Sequence, residues 1–390
     1  MKTFSPDKEA HIPVLDGLRG MAVLMVLLFH FWQGLPVYQH LFSPEISRGL
    51  SLFSIGQKGV DLFFVLSGFL ITGILLRTRG AAHYFKNFYI RRSLRIFPLY
   101  FAVVLGCLLV GAIWSAPGFQ WNQSWWYLCY LQNVGTTFWP GSVGEPGHFW
   151  SLAVEEHFYL FWPLVVLLLN RRQLVFFSLA LVVLSILVRA VFLRLGLDVF
   201  TFTLCRMDTL ALGALLAVLF TDPGQWLATR TWVARGCLPV AGLALGAFFV
   251  WSGTASALLQ TFKYTLFAGL CGVVLILALS PGRWNPLPRL FNLAWLREMG
   301  KTSYAMYVFH PFIYAGVMGR LYGAGWSPLR GLLWPALLTE LVLALGLTIL
   351  ASRISWVFFE QPLIKLKSRF QYEDRNRLPP SIPTAEKAGC

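Results

Sequence analysis

Residues 13–33 read PVLDGLRGMAVLMVLLFHFWQ, an apolar run long enough to cross a bilayer and broken only by Asp16, Arg19 and His30. A hydrocarbon core of roughly 30 Å takes about 20 residues of helix. The run carries Asp16 and Arg19 and lacks a small-residue cleavage site, so it reads as a retained first span and not a signal peptide. A charged side chain inside a span costs on the order of 3 kcal/mol even on the lenient insertion scale, which makes each a functional candidate. Arg19 and His30 are eleven positions apart. At about 100° and 1.5 Å per residue they differ by about 20° in direction and roughly 16 Å in depth. One helix face therefore carries a guanidinium toward one end and an imidazole toward the other. Pairing of Asp16 with Arg19 at i,i+3, and a bond from His30 to a carbonyl of a neighbouring helix, would account for the same pattern without chemistry.

The rest of the chain repeats this character. Of 390 residues 57% are hydrophobic and only 13% charged, against about a quarter in soluble proteins. A mean hydropathy of +0.63 excludes a soluble globular fold, and 33 Phe, 16 Trp and 13 Tyr suit lipid contact and membrane interfaces. The expected architecture is all-α, a polytopic bundle of about ten transmembrane helices. The spans fall near Pro13–Gln33, Gly59–Leu76, Ile96–Trp114, Leu152–Leu169, Gln173–Leu193, Leu204–Phe220, Gly236–Ala255, Tyr264–Ser280, Ser303–Gly319 and Leu332–Phe359.

Charge sets the orientation. Arg77, Arg79, Lys86, Arg91, Arg92 and Arg95 crowd the second loop, while residues 116–150 contain no Lys or Arg. The positive-inside bias places the second loop in the cytoplasm and the third outside. Arg171 and Arg172, Arg230 and Arg235, then Arg283, Arg289, Arg297 and Lys301, and finally Lys365, Lys367 and Arg369 continue the alternation. Both termini are expected in the cytoplasm. The same bias accounts for the net charge of +15 without nucleic acid. The six cysteines are scattered, with no zinc-ligand spacing or disulfide framework, and no metal is expected. Residues 1–369 read as one integral membrane domain and 370–390 as a polar, disordered cytoplasmic tail.

Three further stretches carry chemistry. Tyr89 to Pro98 sets Arg91 and Arg95 at i,i+4 and Arg92 and Arg95 at i,i+3, so that a helical turn would aim guanidinium groups at one point, as phosphate recognition requires; juxtamembrane topology alone would also place arginines there. Span two holds Asp61 at its outer end and a Ser67-Gly68 pair at mid-membrane, the latter read as a close helix crossing. His148 to Tyr159 brings Trp150, Glu155, Glu156 and two histidines to the start of span four, and Arg206 with Asp208 stands similarly before span six. Adjacent Glu155 and Glu156 point about 100° apart, so at most one is expected to face the bundle interior. Carboxylates beside rings suit a sugar; an interfacial aromatic belt suits the tryptophans equally.

Taken in order, these stretches resemble the acyltransferase family 3 membrane proteins across nearly the whole chain. The resemblance is carried by Leu15-Asp16-Gly17-Leu18-Arg19-Gly20 with its spacing to His30, Gly59-Val60-Asp61 through Ser67-Gly68-Phe69, the arginines ending at Arg95, and Trp150-Ser151-Leu152 with Glu155-Glu156. Arg206-Met207-Asp208 leading into Gly213, Ser303-Tyr304 through Tyr307, His310-Pro311 and Glu360-Gln361-Pro362 complete it. It implies a bacterial inner-membrane O-acyltransferase that takes acetyl-CoA or another acyl-CoA from the cytoplasm and modifies a carbohydrate or lipid-linked glycan. It also implies an essential His at His30, with Arg19 as its partner and Arg91, Arg92 and Arg95 on the donor.

In the mechanism this suggests, His30 is general base or acyl carrier, with Arg19, Glu155 and Glu156 completing the catalytic set. Asp61, Trp150, Arg206, Asp208 and His310 hold the acceptor, although a helix–helix hydrogen bond would equally explain His310. The rival readings are a proton-coupled transporter whose relay runs through Arg19, His30, Asp61 and Glu340, and a non-catalytic assembly factor.

Overall fold

The computed structural model describes residues 12–33, 51–114, 123–220, 257–280, 285–323 and 333–372. Among them there is no strand, and the chain is an all-α, multi-pass integral membrane protein. Its main helices are α1 (Pro13–Gln33), α2 (Gly59–Arg77), α3 (Tyr84–Trp114), α4 (Trp150–Leu168), α5 (Arg171–Arg194), α6 (Thr203–Phe220), α7 (Ala257–Leu279), α8 (Ala294–Lys301), α9 (Ser303–Gly323) and α10 (Leu333–Ser355). Eight helices among the described residues are long and apolar enough to cross a membrane. The span expected at Ser303–Gly319 is present as α9, and the one expected at Gly236–Ala255 lies outside the described residues.

The bundle is built inside out. Along α5 the buried positions are Leu174, Ser178, Ser185 and Arg189, while Phe176, Val183, Leu187 and Val191 are exposed. Polar groups turn toward partners and alkyl surface toward the outside, as lipid demands. The helix starts on a capping box in which Asn170 Oδ1 accepts from Gln173 N at 3.0 Å and Gln173 Oε1 from Asn170 N at 2.9 Å.

Two close crossings fix the centre. A Cβ on Gly68 of α2 would sit 2.0 Å from Leu210 O, and one on Gly213 of α6 2.1 Å from Val65 O, so the two backbones touch and no other residue fits. The expected crossing at Gly68 is therefore present, but Ser67 beside it faces elsewhere. On the other side, α1 lies against α8, where a Cβ on Gly300 would meet Asp16 O at 1.8 Å.

Helix α3 differs most from expectation. It starts at Tyr84, twelve residues before the expected Ile96, because Tyr84 to Arg95 continue the helix without a breaker. Thirty-one residues make roughly 46 Å, more than a bilayer core, so its first turns extend beyond the apolar layer. Arg91, Arg92 and Arg95 are thus helical residues and not a loop. The segment after α10 folds back onto this end of α3: Asn87 Nδ2 donates to Gln371 O at 2.7 Å and Arg91 to Phe370 O at 3.2 Å. Residues 370–372 are therefore packed, a departure from the disordered tail expected to begin at 370; positions 373–390 lie outside the described residues.

Candidate active site

A cavity opens between α1, α2, α3, α4 and α9. Its polar lining includes Arg19, Ser67, Arg92, Arg95, Glu155 and Glu156, with Tyr159, Tyr304, Tyr307, Ser151 and Ser303. Sequence reasoning divided these groups between a cationic inner side and an acidic outer side. The structure brings them to one cavity, because α3 carries its arginines inward as a helix and α4 has run more than a turn before reaching Glu155. Both glutamates line it, contrary to the expectation of one. Side chains 100° apart on α4 can share a cavity this broad.

Each residue is held by identifiable neighbours. Ser67 Oγ donates to Glu155 Oε1 at 2.6 Å, linking the middle of α2 to α4. The Arg92 guanidinium lies over the Tyr159 ring, 4.6 Å from its centroid. Arg19 Nη1 stands 3.4 Å from Asp16 Oδ1, so the expected i,i+3 pair forms and Arg19 still faces the cavity. Glu156 Oε1 is buried without a hydrogen-bond partner among the described residues. Three guanidinium groups and two carboxylates with spare acceptor capacity can bind a phosphorylated thioester and orient a hydroxyl beside it.

Tyr307 forms the wall between this cavity and a second cluster. Its hydroxyl bonds Ser151 Oγ and His148 O, both at 2.6 Å. Behind it, His30, His148 and His310 gather, with ring centroids 4.8 Å apart for His30 and His310 and 5.5 Å for His148 and His310. His30 Nδ1 lies 2.9 Å from Val26 O, a carbonyl one turn back on its own helix and not one of the neighbouring helix that the non-catalytic alternative invoked. Among the described residues no three His, Cys, Asp or Glu side chains converge as metal ligands would.

The other sequence candidates lie elsewhere. Asp61 and Arg206 form a fully buried ion pair, with Lys58 Nζ 3.6 Å from the other oxygen of Asp61, and Arg206 also lies 4.2 Å over the Tyr264 ring. Asp208 pairs with Arg189 at 2.9 Å and accepts from Thr265. Trp150 packs against Phe64 and Phe200. The charged groups among these pair with one another in the core between α2, α5, α6 and α7, and neither they nor Trp150 line the cavity. Arg91 points away too, stacking at 5.5 Å on Tyr372. Sequence reasoning read Ser67 as part of a helix crossing and gave Tyr159 and Tyr307 no site role, because a polar residue in an apolar run shows neither its face nor its partner. Arg189 did carry a signal, as an arginine inside span five, four residues before its expected end at Leu193.

A protein-family model described as an acyltransferase domain matches residues 12–358. The chain is similar to the peptidoglycan O-acetyltransferase OatA of Listeria monocytogenes, 28% identical over 337 residues that cover 80% of this chain and 50% of that protein. A putative O-acetyltransferase of Staphylococcus aureus is 27% identical, covering 92% of this chain and 58% of its own length. A putative peptidoglycan O-acetyltransferase of Bacillus subtilis, YrhL, is 26% identical, with 90% and 55% covered. The chain thus spans about half the length of the curated relatives it matches. No solved structure matches it.

Proposed function

Because the chain belongs to the acyltransferase family whose domain it matches over residues 12–358, we propose that it moves an acetyl or similar acyl group from acyl-CoA to a hydroxyl of a glycan, peptidoglycan being the first acceptor to test. The donor arrives from the cytoplasmic side of a bacterial inner membrane. The observation that supports this most is the shared cavity, where Arg19, Arg92 and Arg95 face Glu155 and Glu156, and whose lining residue Tyr307 also contacts His148 and His310.

Arg92 and Arg95 engage the phosphates of the donor, and Arg19 stabilises the charge that develops on the thioester oxygen. Glu155, oriented by Ser67, and Glu156 hydrogen-bond the acceptor. His30 takes the proton of the acceptor hydroxyl as its oxygen forms a bond to the acyl carbon. The carbon–sulfur bond breaks and the thiolate leaves with that proton. A transporter relay through Asp61 loses support, since Asp61 is engaged by Arg206 and Lys58.

The test supplies membranes bearing the wild type or His30→Ala with isotope-labelled acetyl-CoA and peptidoglycan fragments, and follows label in the glycan together with free thiol. Transfer by the wild type and none by the variant, at equal protein level, is the expected result. Equal label and thiol in both would remove His30 from the chemistry.

A further inference from the structure

His310 is fully buried on α9, and its two ring nitrogens meet different partners. Nδ1 lies 2.7 Å from Tyr307 O, and Nε2 lies 3.2 Å from His30 Nδ1. A carbonyl oxygen only accepts, so His310 Nδ1 carries its hydrogen and donates, and the neutral ring keeps a lone pair at Nε2. The same argument runs from α1. Val26 O also only accepts, so His30 Nδ1 carries a hydrogen, which it shares between Val26 O and His310 Nε2. Two carbonyls therefore set both tautomers, and His30 Nε2 is left with a lone pair that no bond shown among the described residues takes up.

The carbonyl of Tyr307 is free to do this because of Pro311. In an α-helix the N–H of residue 311 would donate to the carbonyl of residue 307, and proline has no N–H. The side chain of His310 takes the place of the missing backbone donor. The sequence pair His310-Pro311 is thus one device: the proline vacates an acceptor and the preceding histidine occupies it.

The geometry points to His310 as a positioning residue for the transfer, one that locks His30 with its hydrogen on Nδ1 and so presents Nε2 as the base. This rests on the reading of His30 as the general base. A carboxylate commonly holds a catalytic histidine in its working tautomer, but an additional carboxylate inside a membrane is costly. An imidazole supplies the same acceptor without charge. When His30 Nε2 takes the acceptor proton, its Nδ1–H becomes a stronger donor to His310 Nε2, and when the thiolate takes that proton the original state returns. His310 neither gains nor loses a proton in the cycle.

The test compares the full chain in lipid nanodiscs with His30→Ala, His310→Gln and His310→Asn. A glutamine places an amide oxygen near the position of Nε2, where it accepts from His30. An asparagine reaches only the position of Nδ1, satisfying Tyr307 O and leaving His30 without its acceptor. The expected result is a fall in kcat of about 100-fold for His310→Asn with the KM for acetyl-CoA unchanged, and recovery to within about threefold of wild type for His310→Gln. Nitrogen-15 shifts of the His30 ring should report hydrogen on Nδ1 in the wild type and the glutamine variant, and a shift toward Nε2–H in the asparagine variant. Equal loss in both His310 variants, or hydrogen on Nε2 in the wild type, would overturn the inference. Loss in His30→Ala with full activity in His310→Asn would overturn it alone, whereas full activity in His30→Ala would overturn the base assignment along with it.

Discussion

Ser67 Oγ and Glu155 Oε1 are 2.6 Å apart, a hydrogen bond from the middle of α2 to the cavity face of α4. It gives Glu155 a fixed donor, while Glu156, one residue on, keeps in the same wall an oxygen without a hydrogen-bond partner among the described residues. Removing the donor leaves a half-buried carboxylate short of a charge-assisted bond, an interaction of about 1.5–3 kcal/mol. Ser67→Ala should lower kcat/KM for the glycan about tenfold or more, with the KM for acyl-CoA less affected. Steady-state kinetics at equal protein level, varying each substrate in turn, check this; a wild-type kcat/KM would show that Glu155 needs no help from Ser67.

The close approach of Gly68 to Leu210 and of Gly213 to Val65 limits what α2 and α6 can carry. A Cβ at Gly68 would come 2.0 Å from Leu210 O, a backbone atom that cannot move without shifting α6. Gly68→Ala should therefore cost about 3 kcal/mol or abolish folding, as overpacking against backbone does. Gly106→Ala is the control, because a Cβ there meets nothing within 4 Å, and better helix propensity should leave stability unchanged or slightly raised. Thermal unfolding in detergent, followed by fluorescence, compares the two.

Asp61 and Arg206 offer a test that separates a structural charge from a substrate ligand. Both are about 1% exposed and face each other. Breaking a buried pair by deleting one partner strands the other, at about 3–5 kcal/mol. Asp61→Leu should sharply reduce the yield and Tm of folded protein. The double variant Asp61→Leu with Arg206→Leu should regain part of that loss. In whatever fraction folds, the KM for glycan should stay near wild type. A raised KM with unchanged Tm would instead place Asp61 on the substrate.

How far the sequence carried the fold and the site follows from what each signal measures. Spans were legible because hydropathy reports what the lipid requires of every residue in a helix, and the apolar run from Pro13 to Gln33 is that signal at its plainest. The start of α3 was not, because Tyr84 to Arg95 are polar enough to read as loop yet hold no helix breaker. Within the site, Arg19 with Arg92 and Arg95, and Glu155 with Glu156, stood out as ionisable groups in or beside spans. Their meeting in one cavity depends on helix crossings such as Gly68 on Leu210, which no periodicity reveals. Asp61, Arg206 and Asp208 looked equally functional in sequence, since an intramembrane charge reads the same whether its partner is a substrate or another helix.

The three arginines of α3 should behave differently despite their neighbouring positions. Arg92 and Arg95 line the cavity, whereas Arg91 donates to Phe370 O and stacks on Tyr372. If the cavity arginines bind donor phosphates, lysine keeps the charge but loses the bidentate fork. Arg92→Lys and Arg95→Lys should each raise the KM for acetyl-CoA about tenfold, and the effect should shrink for a donor analogue lacking the nucleotide phosphates. Arg91→Lys should leave that KM within about twofold and instead loosen the segment around residue 370, read as faster proteolysis or hydrogen exchange there. Equal KM changes in all three variants would mean that the donor is held by the charge of the whole helix end and not by the cavity side chains.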